Sequence, residues 1–155
     1  FNHAVMKGGI FLAIGYLIYS TGSSDLRILN GIGRKMPYTT AAIVIGGLGL
    51  IGIPGTSGFV SKWYLVQAAL EADLWPIAII VLMGSLLALI YVGRVIEAAY
   101  FQPSPEENLF QRKSQWQMIV PIWLLISASI YFGIHTEITV QIAENAAQHL
   151  IGLEP

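Results

Sequence analysis

Five ionisable side chains interrupt stretches that are otherwise apolar: His3 and Lys7, Lys62, and the pair Arg94 and Glu97. A charge at the centre of a bilayer costs at least about 2.5 kcal/mol on insertion scales, so each needs a partner, water or a route out. His3 and Lys7 are four residues apart, which on a helix puts them on one face. An imidazole titrates near neutral pH and, beside a lysine, could exchange protons. Gly8 and Gly9 follow and leave room for water or a neighbouring helix. An interfacial turn would accommodate the same two residues without any chemistry. Arg94 and Glu97, at i and i+3, can form a local ion pair near a helix end, with proton entry as a secondary role.

Lys62 poses the sharper question. It closes the stretch GIPGTSGFVSKW, in which Gly52, Pro54, Gly55 and Gly58 disturb the backbone between two apolar runs. A helix starting near Thr56 would put the Lys62 Cα about 9 Å deep at 1.5 Å per residue. From there the side chain could snorkel back to the headgroups. Alternatively, the lysine serves the break itself, because interrupted helices at membrane depth are where transporters build ion sites. Trp63 and Tyr64 follow at once, with bulk that could limit water.

The elements that must position these groups are read from composition and apolar length. The chain has 155 residues, 55% hydrophobic and 11% charged, against about a quarter charged in soluble domains. That identifies an integral membrane protein. A net charge of −1 excludes nucleic acid as a partner and gives no general basic surface for anionic lipid. Without cysteine, disulfides, thiolate catalysis and Cys-ligated metals are excluded. His3, His135 and His149 lack metal-ligand spacing. The glycines at 46, 47 and 49 form no phosphate loop, and no nucleophile elbow is present. No cofactor is expected. The first run lacks the basic region and cleavage site of a signal peptide. Starting at Phe1 in mid-span, the chain reads as the C-terminal piece of something longer.

A bilayer core of about 30 Å takes roughly 20 helical residues. About five spans are expected: Phe1 to Thr21, Tyr38 to Ile53, Thr56 to about Leu74, Ile77 to Phe101, and Trp116 to about Ile134. The fourth is long enough to tilt, and Pro121 is tolerable near the start of the fifth. A short loop helix, DLRILNGIGRKMP, falls between the first two, with Ser24 as its cap and Pro37 as its stop. Trp63, Trp75 and Trp116 fall near span ends, as an aromatic belt would. Beyond His135 the pattern becomes amphipathic: Val140, Ile142, Ala143, Ala146, Ala147 and Leu150 share one side, and Glu137, Gln141, Glu144, Asn145 and Gln148 the other. That tail, residues 135–155, is too polar to span and should lie along the interface or against a partner. Counting five separate spans puts Arg27, Arg34 and Lys35 on one side and Arg112 and Lys113 on the other, with Arg94 nearby. The positive-inside rule then decides nothing.

The segments NHAVMKGGIFLAIG, DLRILNGIGRKMP, GLGLIGIPGTSGFVSKWYL and RVIEAAYF occur in this order. Together they resemble the C-terminal third of the proton-conducting antiporter-like membrane proteins. Mrp-type monovalent cation/proton antiporters and the membrane arm of respiratory complex I share that family. FVSKWYL and RVIEAAYF are most similar to its D-type Mrp branch. The resemblance implies an all-α bundle of about fourteen spans in two inverted repeats, each with a broken helix, of which residues 1–134 hold the last spans. It implies that Lys62 is the lysine of the second broken helix and that His3 and Lys7 belong to a central hydrophilic axis. It implies a subunit of a secondary transporter rather than an enzyme. Protons, and Na+ as the exchanged cation, would be its cargo, and other membrane subunits and the lipid bilayer its partners. The site would be a bacterial cytoplasmic (inner) membrane, with the Gln102–Gln115 linker facing the cytoplasm. The alternatives are a proton-pumping subunit of an NADH:quinone oxidoreductase or related membrane-bound hydrogenase, and a helix scaffold without an ion path.

Overall fold

The computed structural model describes residues 1–103 and 115–151, and every regular element among them is helical. Most of the Gln102–Gln115 linker and the last four residues of the expected tail lie outside the described residues. The helices are α1 (Asn2–Thr21), α2 (Ile32–Lys35), α3 (Pro37–Ile51), α4 (Ser57–Glu71), α5 (Trp75–Phe101), α6 (Trp116–Ile134) and α7 (Thr136–Ile151), with a 3₁₀ turn at Leu26–Leu29. Three of them, α1, α5 and α6, are long and apolar enough to cross a membrane.

The other two expected spans, α3 and α4, have 15 residues each, about 22 Å apiece. Their contacts show how they relate. A Cβ on Gly49 would meet Thr56, and one on Gly52 would meet Phe59 and Lys62, so the neighbours advance together along both helices. Helix α1 runs antiparallel to each. Its Ile10 lies against Gly46 and Met6 against Gly49, while Asn2 donates to the Ser57 carbonyl at 3.4 Å and to Ser61 Oγ at 3.3 Å. Helix α4 therefore continues in the direction of α3, and the pair is one discontinuous element rather than a hairpin. Helix α5, about 40 Å long at 27 residues, runs antiparallel along both halves. Val92 touches Gly47 on α3, and Ser85 accepts a bond from Lys62 on α4.

The core lies where α1, α3 and α6 meet, in Ala13, Tyr16, Ala42, Ile43, Ile119, Ile122 and Ile126. Small residues let the helices close. Gly9 sits against Ile126 and Gly46 against both Ile10 and Ile126, the packing that membrane helices use in place of a hydrophobic drive. A second cluster, Leu17, Ile28, Ile32 and Ala99, holds the loop after α1 onto the end of α5. That loop is not one helix. Gly31 takes φ 67 and separates the 3₁₀ turn from α2. The cap is Asp25, whose carboxylate accepts from the Arg27 N–H at 3.0 Å, not Ser24. Pro37 starts α3 rather than stopping the loop helix, as its missing N–H favours.

Merging α3 and α4 reverses the side assigned to everything after them. Tyr16, near the end of α1, accepts from the Gln115 N–H at 3.0 Å, and Gly33 packs on Tyr100. Both ends of the linker thus sit at the same end of the bundle as the loop carrying Arg27, Arg34 and Lys35. The opposite end holds the α4–α5 turn and α7, whose Val140, Ala143 and Ala147 face Val60 and Tyr64 of α4 across a cavity of about 310 Å³.

Candidate functional site at the helix break

The helix stops at Ile51 because the next residues cannot continue it. Gly52 adopts φ 91 and its N–H bonds the carbonyls of Leu48 and Gly49, both at 3.1 Å, a left-handed cap that glycine adopts without strain. Pro54 has no N–H to offer, and Gly55 again takes φ 90. Thr56 closes the turn through its hydroxyl, which donates to the Ile53 carbonyl at 2.7 Å. Gly58 serves a different need. A side chain there would run into the Gly49 carbonyl, and one on Gly133 of α6 into the backbone of Thr56 and Ser57. Fully buried Ser57 shares a hydrogen bond of 2.9 Å with Ser129 of α6. The break is thus clasped by α1, α3 and α6 together.

Lys62 lies in the second turn of α4 and turns back toward the break. Its ammonium donates to the carbonyls of Leu50 at 2.7 Å and Ile51 at 3.0 Å, and to the Ser85 hydroxyl at 2.7 Å. Three donors meet three acceptors. The two carbonyls are among those that a helix end leaves unpaired, and they carry the negative end of its dipole. Ser85 is ten residues into α5 from Trp75, about 15 Å along its axis, near the middle of a 30 Å hydrocarbon core. The side chain does not reach for the headgroups.

A cavity of about 450 Å³ opens beside the ammonium. Its wall includes Lys62, His3, Lys7, Ser61 and Tyr91. Lys62 therefore faces one space with Lys7 and His3, which lie 55 and 59 positions before it in the chain. His3 and Lys7 are exposed on α1 and make no hydrogen bond or ion pair with the described residues. Arg94 and Glu97 do not form the expected pair, whereas Arg27 does pair with Asp25. Arg94 turns instead toward the 3₁₀ turn, into a separate pocket near the opposite end of the bundle. An exposed helix pair gains too little to hold it back. Ser85 and Tyr91 were not among the expected site residues. Ser85 could have been found as the lone serine in the apolar run of α5, since a hydroxyl within a span usually bonds across to another helix.

Residues 1–88 match the family model described as NADH:quinone oxidoreductase/Mrp antiporter, transmembrane. NADH-quinone oxidoreductase subunit N of Desulforudis audaxviator is 35% identical over 97% of this chain and 32% of its own length. The D-type subunit of the Na(+)/H(+) antiporter of Bacillus subtilis is 27% identical over 97% of this chain and 30% of its own. The chain thus spans about a third of the length of these relatives. A solved structure of the Mrp complex from a Dietzia species superposes with a TM-score of 0.84 at 21% identity, covering 96% of this chain and 36% of that one.

Proposed function

Because this chain belongs to the family of NADH:quinone oxidoreductase and Mrp antiporter transmembrane subunits, we propose that it carries protons through the membrane part of a multisubunit complex. Lys62 is the central carrier in this reading, and His3 and Lys7 are its partners across the cavity. The observation that carries the proposal is the Lys62 ammonium held at mid-depth by the exposed carbonyls of an interrupted helix. This lysine has no carboxylate partner among the described residues, so a second cation arriving in the cavity meets it with no local counter-charge between them.

The chemistry asked of the site is modest. The proton leaves Nζ toward the cavity, where there is space for several waters, and passes to Lys7 or His3. Ser85 suits both states. It accepts from the ammonium while donating to the Val81 carbonyl at 3.3 Å, and a hydroxyl can rotate to donate to the neutral amine instead. The carbonyls of Leu50 and Ile51 remain as acceptors that draw the next proton back.

The complex is a monovalent cation/proton antiporter in the bacterial cytoplasmic membrane, with Na+ as the exchanged ion and the other membrane subunits and lipid around it. A second reading, a redox-driven proton pump, draws on the higher identity to an NADH-quinone oxidoreductase subunit, 35% against 27%. Substituting Lys62→Ala in the native complex, reconstituted in vesicles, tests the shared core of both. Proton movement should fall at least tenfold at equal expression, and survival of the full rate would remove Lys62 from the path. The driver separates the two readings: a ΔpH raised by a Na+ gradient alone supports the antiporter, and one that needs an electron donor and a quinone supports the pump.

A further inference from the structure

At the end of the bundle away from Lys62, a pocket of about 380 Å³ lies between the 3₁₀ turn and the last third of α5. Arg27 and Arg94 both line it, although 67 positions separate them in the chain. We infer that this pocket binds the headgroup of an anionic phospholipid through those two guanidinium groups.

Arg94 lies seven residues before the end of α5, about 10 Å along the helix, on an exposed face. Arg94 is also 19 residues after Trp75, about 28 Å along α5 and so at the membrane boundary, where a guanidinium attracts an anionic counter-charge. The described residues supply none: Glu97 forms no ion pair with it, and no carboxylate lines the pocket. Among the described residues the Arg27 guanidinium has one ion pair, Nε to Asp25 Oδ2 at 3.4 Å, with the two side chains 85% and 54% exposed. Asn30 adds an amide to the charged pole, and Leu26, Leu29 and Val95 make an apolar wall. Leu26 is 79% exposed, directly beside Arg27.

A basic pole joined to an apolar wall at the membrane boundary fits a phospholipid, whose phosphate meets the arginine fork while an acyl chain covers the leucines. Inorganic phosphate would satisfy only the pole. A zwitterionic headgroup brings its own cation and neutralises less of the paired charge. The net charge of −1 conceals this local site, because the arginines are brought together only when the loop folds onto α5.

The test uses the detergent-purified native complex, titrated with phosphatidylglycerol and with phosphatidylcholine and read by native mass spectrometry. We expect phosphatidylglycerol to be retained preferentially and the doubly substituted Arg27→Gln/Arg94→Gln complex to bind it on the order of tenfold more weakly. Arg34→Gln, at the same end but outside the pocket, should bind as the parent does. Excess inorganic phosphate should leave the lipid in place. Equal binding of phosphatidylcholine, undiminished binding by the double variant, an equal loss in Arg34→Gln, or displacement by phosphate would each overturn the assignment.

Discussion

The ammonium of Lys62 has three acceptors, and only one of them is a side chain. Leu50 and Ile51 contribute through their carbonyls, which no substitution removes, whereas the Ser85 hydroxyl can be deleted. A hydrogen bond to a charged group contributes about 1.5–3 kcal/mol. Ser85→Ala should therefore lower proton turnover in vesicles by about tenfold without loss of the assembled complex. Ser85→Thr keeps the hydroxyl and should restore most of the rate. Equal rates for both variants would mean that the hydroxyl only fills space. At this scale the sequence was informative about the residue and silent about its partners. A lysine in an apolar run must have a reason, but two of its three partners are backbone atoms that any residue could supply. The third comes from a helix that is 23 positions away in the chain.

The helix break depends on glycines for two separate reasons. Gly52 and Gly55 have positive φ, where a side chain costs about 1–2 kcal/mol. Gly58 has ordinary helical geometry but sits against the Gly49 carbonyl, so a methyl there must push the two halves apart. Overpacking of this kind costs about 1–3 kcal/mol. Gly58→Ala should lower the unfolding temperature of the detergent-solubilised complex by several degrees. Gly93→Ala on α5, where a Cβ meets nothing within 4 Å, should leave it unchanged or slightly raised. Equal midpoints would show that α3 and α4 do not cross closely at Gly49. The glycines, the proline and the helix limits could be read from the sequence to within a few residues. Whether the chain folds back at GIPGT or carries straight on could not be. Both outcomes use the same turn residues, and only the packing of α1 and α5 against both halves selects the second.

That choice decides how charge is distributed over the described residues at the two ends of the bundle. With α3 and α4 as one discontinuous element, α1, the pair, α5 and α6 make four passes rather than five. Arg27, Arg34, Lys35 and Arg94 then gather toward one end, where Gln115 at the start of α6 also bonds Tyr16. The other end carries Glu71, Asp73, Glu137 and Glu144, with no lysine or arginine in the α4–α5 turn or in α7. Lysines and arginines close to span ends set orientation by remaining in the cytoplasm, so the asymmetry predicts that the loop before α2 faces the cytoplasm and the α4–α5 turn faces outward. Cysteine labelling in a background without other accessible thiols measures this, since these 155 residues contribute no cysteine of their own. Single replacements Ser24→Cys and Asp73→Cys, both at exposed positions, can be challenged with a membrane-impermeant maleimide in sealed vesicles. In right-side-out vesicles Asp73→Cys should label and Ser24→Cys should not, and inverted vesicles should exchange the two. Labelling of both positions from the same side would require an even number of crossings between them, which the chain makes only if α3 and α4 fold back on each other. That outcome would restore the hairpin and put the start of α6 on the opposite face from Arg34.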